Sequence, residues 1–264
     1  MTHAASAVLA AGSPFEAPGP NDFFRSGNTL WWNSSILLVL SGVLVLFFYG
    51  MTAPRRGLVP SKLQFAGESL YSFVRDGIAR DTIGERDFIK YVPLLVTTFT
   101  FILINNLFGM IPFLQFPTFA RASYAYTLAA LVWLIYNGIG VMRHGPLRYL
   151  KNQTIPSGVP SWILPLLIPL EFLSNILIRP ITLSLRLFAN MFAGHLLLIL
   201  FSTGGWWLLH EATGTTFVLK SAGVLSFVLG ILVGFLEIVV EFLQAYVFTL
   251  LAASYISGAL AAEH

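Results

Sequence analysis

The sequence predicts an all-α integral membrane protein with about five membrane-crossing helices and an amphipathic surface helix, its last two crossings long, tilted and paired as an antiparallel hairpin. Three observations carry that prediction. Of 264 residues, 56% are hydrophobic and 10% charged, against a charged share of about 25% in soluble domains. Several runs reach the roughly 20 apolar residues needed to cross about 30 Å of hydrocarbon. No polar stretch is long enough to form a separate water-soluble unit, so residues 1–264 read as one membrane domain. The chain has no cysteine, which excludes disulfides, thiolate nucleophiles and cysteine metal sites, and its net charge of +3 is too small to argue for nucleic acid.

Residues 1–30 form an outer-side N-terminal segment. Its opening, MTHAASAVLAAGSPFEAPGP, lacks a basic n-region and an apolar core, which argues against a cleaved signal peptide and leaves targeting to the first span. That span is 31–53, with Trp31 and Trp32 as an interfacial anchor at one edge and Pro54, Arg55 and Arg56 at the other. Over 61–80, Leu63, Ala66, Leu70, Phe73 and Val74 recur at helical intervals with charges between them, the pattern of a helix lying on the membrane surface or on a partner. Residues 88–142 form a helical hairpin. Its first span, 88–113, carries Asn105 and Asn106 and stops at Pro112; its second is 124–142. After the basic stretch 143–151 come 162–201 and 217–262, each longer than a perpendicular crossing, so tilt or a break is expected. Pro165, Pro169 and Pro180 favour a bend in the first of them.

Orientation follows from the cations. Residues 54–90 hold Arg55, Arg56, Lys62, Arg75, Arg80, Arg86 and Lys90, and the loop after Met142 holds Arg143, Arg148 and Lys151. The intervening loops carry almost none, so these two face inward. Five crossings then put the N-terminus outside, a loop containing Gly204, Gly205, Trp206 and Trp207 outside, and Glu263 and His264 inside.

Within or at the edges of the last two long segments lie seven charged or histidine residues: Glu171, Arg179, Arg186, His195, Lys220, Glu237 and Glu241. Arg186 is the most demanding, because a guanidinium at mid-membrane costs roughly 2.5–3.5 kcal/mol on insertion scales and cannot escape by losing its proton. With the two segments antiparallel and Arg186 level with Gln244, Asn190 falls level with Glu241 and His195 with Glu237. These are three polar layers stepping outward over roughly 10–14 Å. At about 100° per residue, Glu237, Glu241 and Gln244 share one stripe and Arg179, Arg186 and Asn190 another, while His195 points opposite Arg186. Either the helix is distorted, or Arg186 faces one partner while His195 lines a water-filled cavity behind it; the second reading is preferred.

The stretches LSLRLFANMFAGH, LQAYVFTLLAASYIS and NNLFGMIPF together resemble subunit a of F-type ATP synthase, the membrane stator of its Fo sector, and the resemblance runs through nearly the whole chain from Trp31. It implies two offset half channels for protons against a turning ring of c subunits, each with one essential carboxylate. It also implies peripheral stalk b subunits and the remainder of the synthase as partners, a bacterial plasma membrane ahead of a mitochondrial inner membrane, and neither cofactor, metal nor covalent chemistry of the chain's own. Arg186 corresponds to the family's stator arginine. His195 and Glu237 fall where the family shows an exchangeable acidic and histidine pair, here with histidine on the first helix. The proton-path set is Arg186, Asn190, His195, Glu237, Glu241, Gln244, Glu171 and Asn105.

A nearby fixed cation favours the ionised form of a carboxylate, and a charge pair about 4 Å apart at an effective dielectric near 20 gains roughly 4 kcal/mol. Histidine suits a relay because its ordinary pKa lies near neutrality. Blander readings compete: Arg186 bridging Glu241 or Glu171 in a static bundle, His195 and Glu237 or the paired asparagines merely tying helices together, Lys220 snorkelling, and Gly223, Gly230 and Gly234 admitting close helix approach. A self-contained ion-coupled secondary transporter is the alternative function, but no duplicated half accompanies the ions. An intramembrane hydrolase lacks a nucleophile and base or an HExxH metal motif.

Overall fold

In the computed structural model, residues 27–52, 61–111, 118–154, 163–210 and 217–261 are described, and among them every regular element is helical. Helix α1 is Gly27–Thr52. Helix α2, Lys62–Val74, is followed by a π turn Arg75–Arg80 and a last turn Asp81–Ile83. The hairpin is α3, Phe88–Met110, and α4, Ala122–His144. A short α5, Pro146–Thr154, leads to α6, Leu164–Phe172, a π segment Leu173–Ile178, and α7, Arg179–His210; α8 is Phe217–Leu260. Four helical runs are long and apolar enough to cross a membrane: Phe88–Met110, Ala122–His144, Leu164–His210 and Phe217–Leu260. The described part of α1 supplies a shorter apolar helix, Ser35–Met51.

Each helix begins or packs for a local reason. Ser61 caps α2, its hydroxyl accepting from the Gln64 N–H at 3.3 Å. Leu63, Phe65, Tyr71 and Phe73 remain exposed, and Phe73 also joins a ring cluster with Phe99, Phe242 and Tyr246 at centroid distances of 5.7, 6.2 and 5.9 Å. The surface helix is therefore docked on α3 and α8. Helix α3 buries Val92, Leu95, Val96, Phe99 and Ile102 at three- and four-residue spacing, one continuous apolar stripe. Against it lie Ala245, Phe248, Ala252 and Ile256 of α8, with Leu183, Leu187 and Met191 of α7 and Ala125, Ala129 and Val132 of α4 closing the core. Outside the spans, Arg143 donates to Asp87 at 2.9 Å and holds that carboxyl below the usual range, tying the start of α3 to the end of α4.

The last two runs are 47 and 44 residues long, or about 70 and 66 Å at 1.5 Å per residue, so neither can stand upright within about 30 Å of hydrocarbon. The prolines do not interrupt the first run; the helical ladder passes through a π segment just ahead of Pro180. Nor does the turn between the last two runs begin where the sequence suggests. Gly204, Gly205, Trp206 and Trp207 lie inside α7, which continues to His210, and Gly205 packs against Phe227 and Gly223 of α8. A Cβ added at Gly223 would sit 3.2 Å from the Gly205 carbonyl and 2.8 Å from Leu209 Cγ, and one added at Gly230 would sit 3.3 Å from Phe201. Gly223 and Gly230 thus do admit close approach. Expectations for 1–26, Arg55 and Arg56, Pro112, Trp162, Glu263 and His264 lie outside the described residues.

Candidate functional site

The α7–α8 pair, the most extensive helix contact among the described residues, brings five of the eight expected residues into one polar seam. Its outermost layer is His195 with Glu237. The imidazole Nδ1 lies 2.9 Å from Glu237 Oε1 and 3.2 Å from the Met191 carbonyl, toward which its N–H is the better aligned; Nε2 lies 3.1 Å from the Gly109 carbonyl at the end of α3. Both residues are buried. Every one of these neighbours is a hydrogen-bond acceptor, so a ring carrying both protons satisfies both nitrogens and a neutral ring only one. A proton lost toward Glu237 has a carboxylate oxygen already within reach.

Glycine makes that closeness possible. A Cβ added at Gly194 would stand 2.7 Å from Glu237 Cδ, so the carboxylate occupies the place where any other residue would carry its side chain. Sequence reasoning missed Gly194, although its position directly before His195 on the facing helix was the available signal.

One turn inward on α8, Glu241 is buried among protein atoms, and the Asn106 amide donates to the Glu241 backbone carbonyl at 3.0 Å. Asn106 is thus the asparagine of the pair that meets the seam. Asn105 instead donates to Ser41 on α1 at 2.7 Å and to the Phe101 carbonyl at 2.8 Å, so the expected path residue fastens α1 to α3. Adjacent residues on a helix point about 100° apart, and nothing in the sequence says which faces α8.

The inner layer joins Asn190 to Gln244: the Asn190 amide donates to Gln244 Oε1 at 2.7 Å. The expected layers paired Asn190 with Glu241 and Arg186 with Gln244; the observed bond pairs Asn190 with Gln244 instead, while Gly194 against Glu237 and Gly230 against Phe201 keep the expected helix register. The reason lies in side-chain direction. Cα–Cβ bonds tilt toward each helix's N-terminus, so on antiparallel helices Asn190 leans one way along the seam and Gln244 leans back to meet it.

Arg186 stands apart from these bonds. It is exposed on α7, and among the described residues it makes neither an ion pair nor a hydrogen bond, so it bridges neither Glu241 nor Glu171. Thr182, Leu185, Ala189 and Ala193 are exposed with it, while Leu183, Leu187, Met191 and His195 turn inward. The opposition of Arg186 and His195 expected from helical geometry is what the chain shows. Glu171 lies fifteen residues back along the helical run, about 22 Å by helix rise, where it accepts from Asn175 at 2.9 Å, away from the seam.

The seam is polar beyond what its own bonds satisfy. Both carboxylate oxygens of Glu241, the Gln244 amide nitrogen and Asn106 Oδ1 are buried without a hydrogen-bond partner among the described residues. An unmatched buried polar atom costs about 1–3 kcal/mol.

The family model of the ATP synthase A chain matches residues 35–257. An ATP synthase subunit a of a Nocardioides species is 51% identical across the whole of both chains. The subunit of that name from Pseudarthrobacter chlorophenolicus is 47% identical over 94% of each chain. The one from Streptomyces lividans is 40% identical over 96% of this chain and 90% of its own.

Proposed function

We propose that this chain, which belongs to the ATP synthase A chain family, is the proton-conducting stator subunit of a bacterial rotary ATP synthase, working in the plasma membrane beside a ring of c subunits and held by peripheral stalk b subunits. Its N-terminus lies outside and its C-terminus inside. It makes no bond and binds no nucleotide; it determines where a rotor carboxylate may hold its proton. The observation that carries the reading is the placement of Arg186, a permanent cation on the outer surface of an apolar helix with no carboxylate of its own chain beside it among the described residues. A buried counter-ion would have made it a structural tie. Left uncompensated, it suits an acid that arrives from another chain.

The polar seam supplies the route. A proton entering from the outer side reaches the His195–Glu237 layer and passes by Glu241 toward the Asn190–Gln244 layer and the rotor. Outward of His195 the α7–α8 seam is closed by glycine packing and by Ser226, whose hydroxyl donates to the Phe201 carbonyl at 2.9 Å. The path therefore turns toward α3, where Asn106 and the Gly109 carbonyl border the layer. The second half channel opens to the inner side of Arg186, and the guanidinium repels a proton seeking to pass straight between the two.

Co-purification tests the assignment. Mild detergent extraction of the tagged chain is expected to bring down a ring of small hairpin proteins; a chain recovered alone with intact ion transport would identify a self-contained transporter. Gly194→Ala tests the relay geometry. The added methyl must push the Glu237 carboxylate off His195, overpacking of about 1–3 kcal/mol. ATP-driven pumping should drop by about tenfold while the complex still assembles, and unchanged pumping would show that the contact is not used.

A further inference from the structure

We infer that Trp133 of α4 is a positioning residue that fixes the face α7 turns toward the rotor, through one hydrogen bond to the backbone of the π segment; this rests on the stator reading of Arg186. A π turn holds one residue more than an α turn, so every residue beyond it is rotated by roughly 100° relative to the helix before it. The segment Leu173–Ile178 thus sets the phase between α6 and α7. Upstream, the helix is fastened to the inner elbow, because the Asn175 amide donates to the Gln153 carbonyl at 2.7 Å. Downstream, α7 carries Arg186.

At the junction the Arg179 N–H reaches back to the Ser174 carbonyl, the five-residue π spacing. The next residue is Pro180, which has no N–H, so in the α register that resumes there the Ile176 carbonyl loses its donor. The indole Nε1 of Trp133 takes that place, donating to the Ile176 oxygen at 2.9 Å across forty-three residues of sequence. Beside it the Arg179 guanidinium lies 5.2 Å over the Tyr255 ring, which packs at 5.4 Å on Tyr136, one turn from Trp133 on α4. The extra residue is thereby held in one arrangement by a side chain that fits the carbonyl the proline orphaned. Without the indole, the orphaned carbonyl favours expulsion of the π turn and a rotated α7.

The chain has no cysteine, so the face can be read directly. Single cysteines at Leu185, Ala189 and Ala193 are paired with cysteines along the rotor's outer helix in the assembled complex, and disulfide yields are compared in four backgrounds. Trp133→Phe keeps the ring and loses the donor; it should move the maximum yield to a neighbouring face and lower ATP-driven pumping by about tenfold. Pro180→Ala alone should change neither, since it adds a backbone N–H for the Ile176 carbonyl while the indole remains. The double variant should restore both. An unchanged cross-linking pattern in Trp133→Phe overturns the inference, as does a double variant no better than the single one. If Arg186 itself proves dispensable the stator reading fails, yet the cross-links still decide what Trp133 does.

Discussion

Arg186→Ala is expected to abolish ATP-driven proton pumping in membrane vesicles while the complex remains assembled. The expectation follows from where the charge sits. A guanidinium in the apolar stretch around α7 costs roughly 2.5–3.5 kcal/mol on insertion scales, and nothing in the described chain offsets that with a carboxylate. Alanine would relieve that cost, so loss of folding is not the anticipated failure. On the proposed stator role, what disappears is the field that would make a passing carboxylate ionise. At about 4 Å and an effective dielectric near 20, that field is worth roughly 4 kcal/mol, or several decades in a protonation equilibrium. Without it the rotor acid keeps its proton through the stator, and the barrier to direct passage between half channels goes as well. Arg186→Lys should recover little, since an ammonium can shed its charge when dehydrated and lacks the planar fork. Full coupled pumping in the alanine variant would remove the basis of the stator assignment.

Exchanging the two partners of the outer layer, His195→Glu with Glu237→His, is expected to retain more proton transport than either His195→Ala or Glu237→Ala, and less than the unsubstituted chain. The pair lies 2.9 Å apart with both members buried, so each single deletion leaves a polar group facing a gap. The exchange keeps one acid and one imidazole in the same layer. It does not keep everything, because a carboxylate at 195 would face the Gly109 carbonyl, an acceptor opposite an acceptor, unless it carries the proton. Vesicle acidification rates measure the ordering, and equal loss in all three variants would reject a shared relay.

Much of this was legible in the sequence because hydrophobic length and helical periodicity survive folding. The crossings 88–113 and 124–142 correspond to Phe88–Met110 and Ala122–His144, and the opposition of Arg186 and His195 follows from a nine-residue separation on a helix. The adjacency of His195 and Glu237 was readable from antiparallel counting alone. The inner pairing was not, since counting levels α-carbons whereas bonds form between side chains that lean along the axis. The extent of α7 to His210 was hidden for a related reason: the Gly204–Gly205 pair signals a turn in isolation, whereas Gly205 is a helix contact once α8 lies against it. Asn105 and Asn106 were indistinguishable because their directions are decided by α1 and α8. Gly194 carried no side chain to suggest a role, and its importance comes from what Glu237 does with the space.

The most direct measurement is a structure of the assembled membrane sector that resolves residue 186 against the neighbouring ring. The Arg186 guanidinium is expected to turn toward a rotor carboxylate at mid-membrane depth, with His195 and Glu237 behind it in the seam. An Arg186 facing lipid with no rotor acid near it, or folded back onto Glu241 or Glu171, would contradict it.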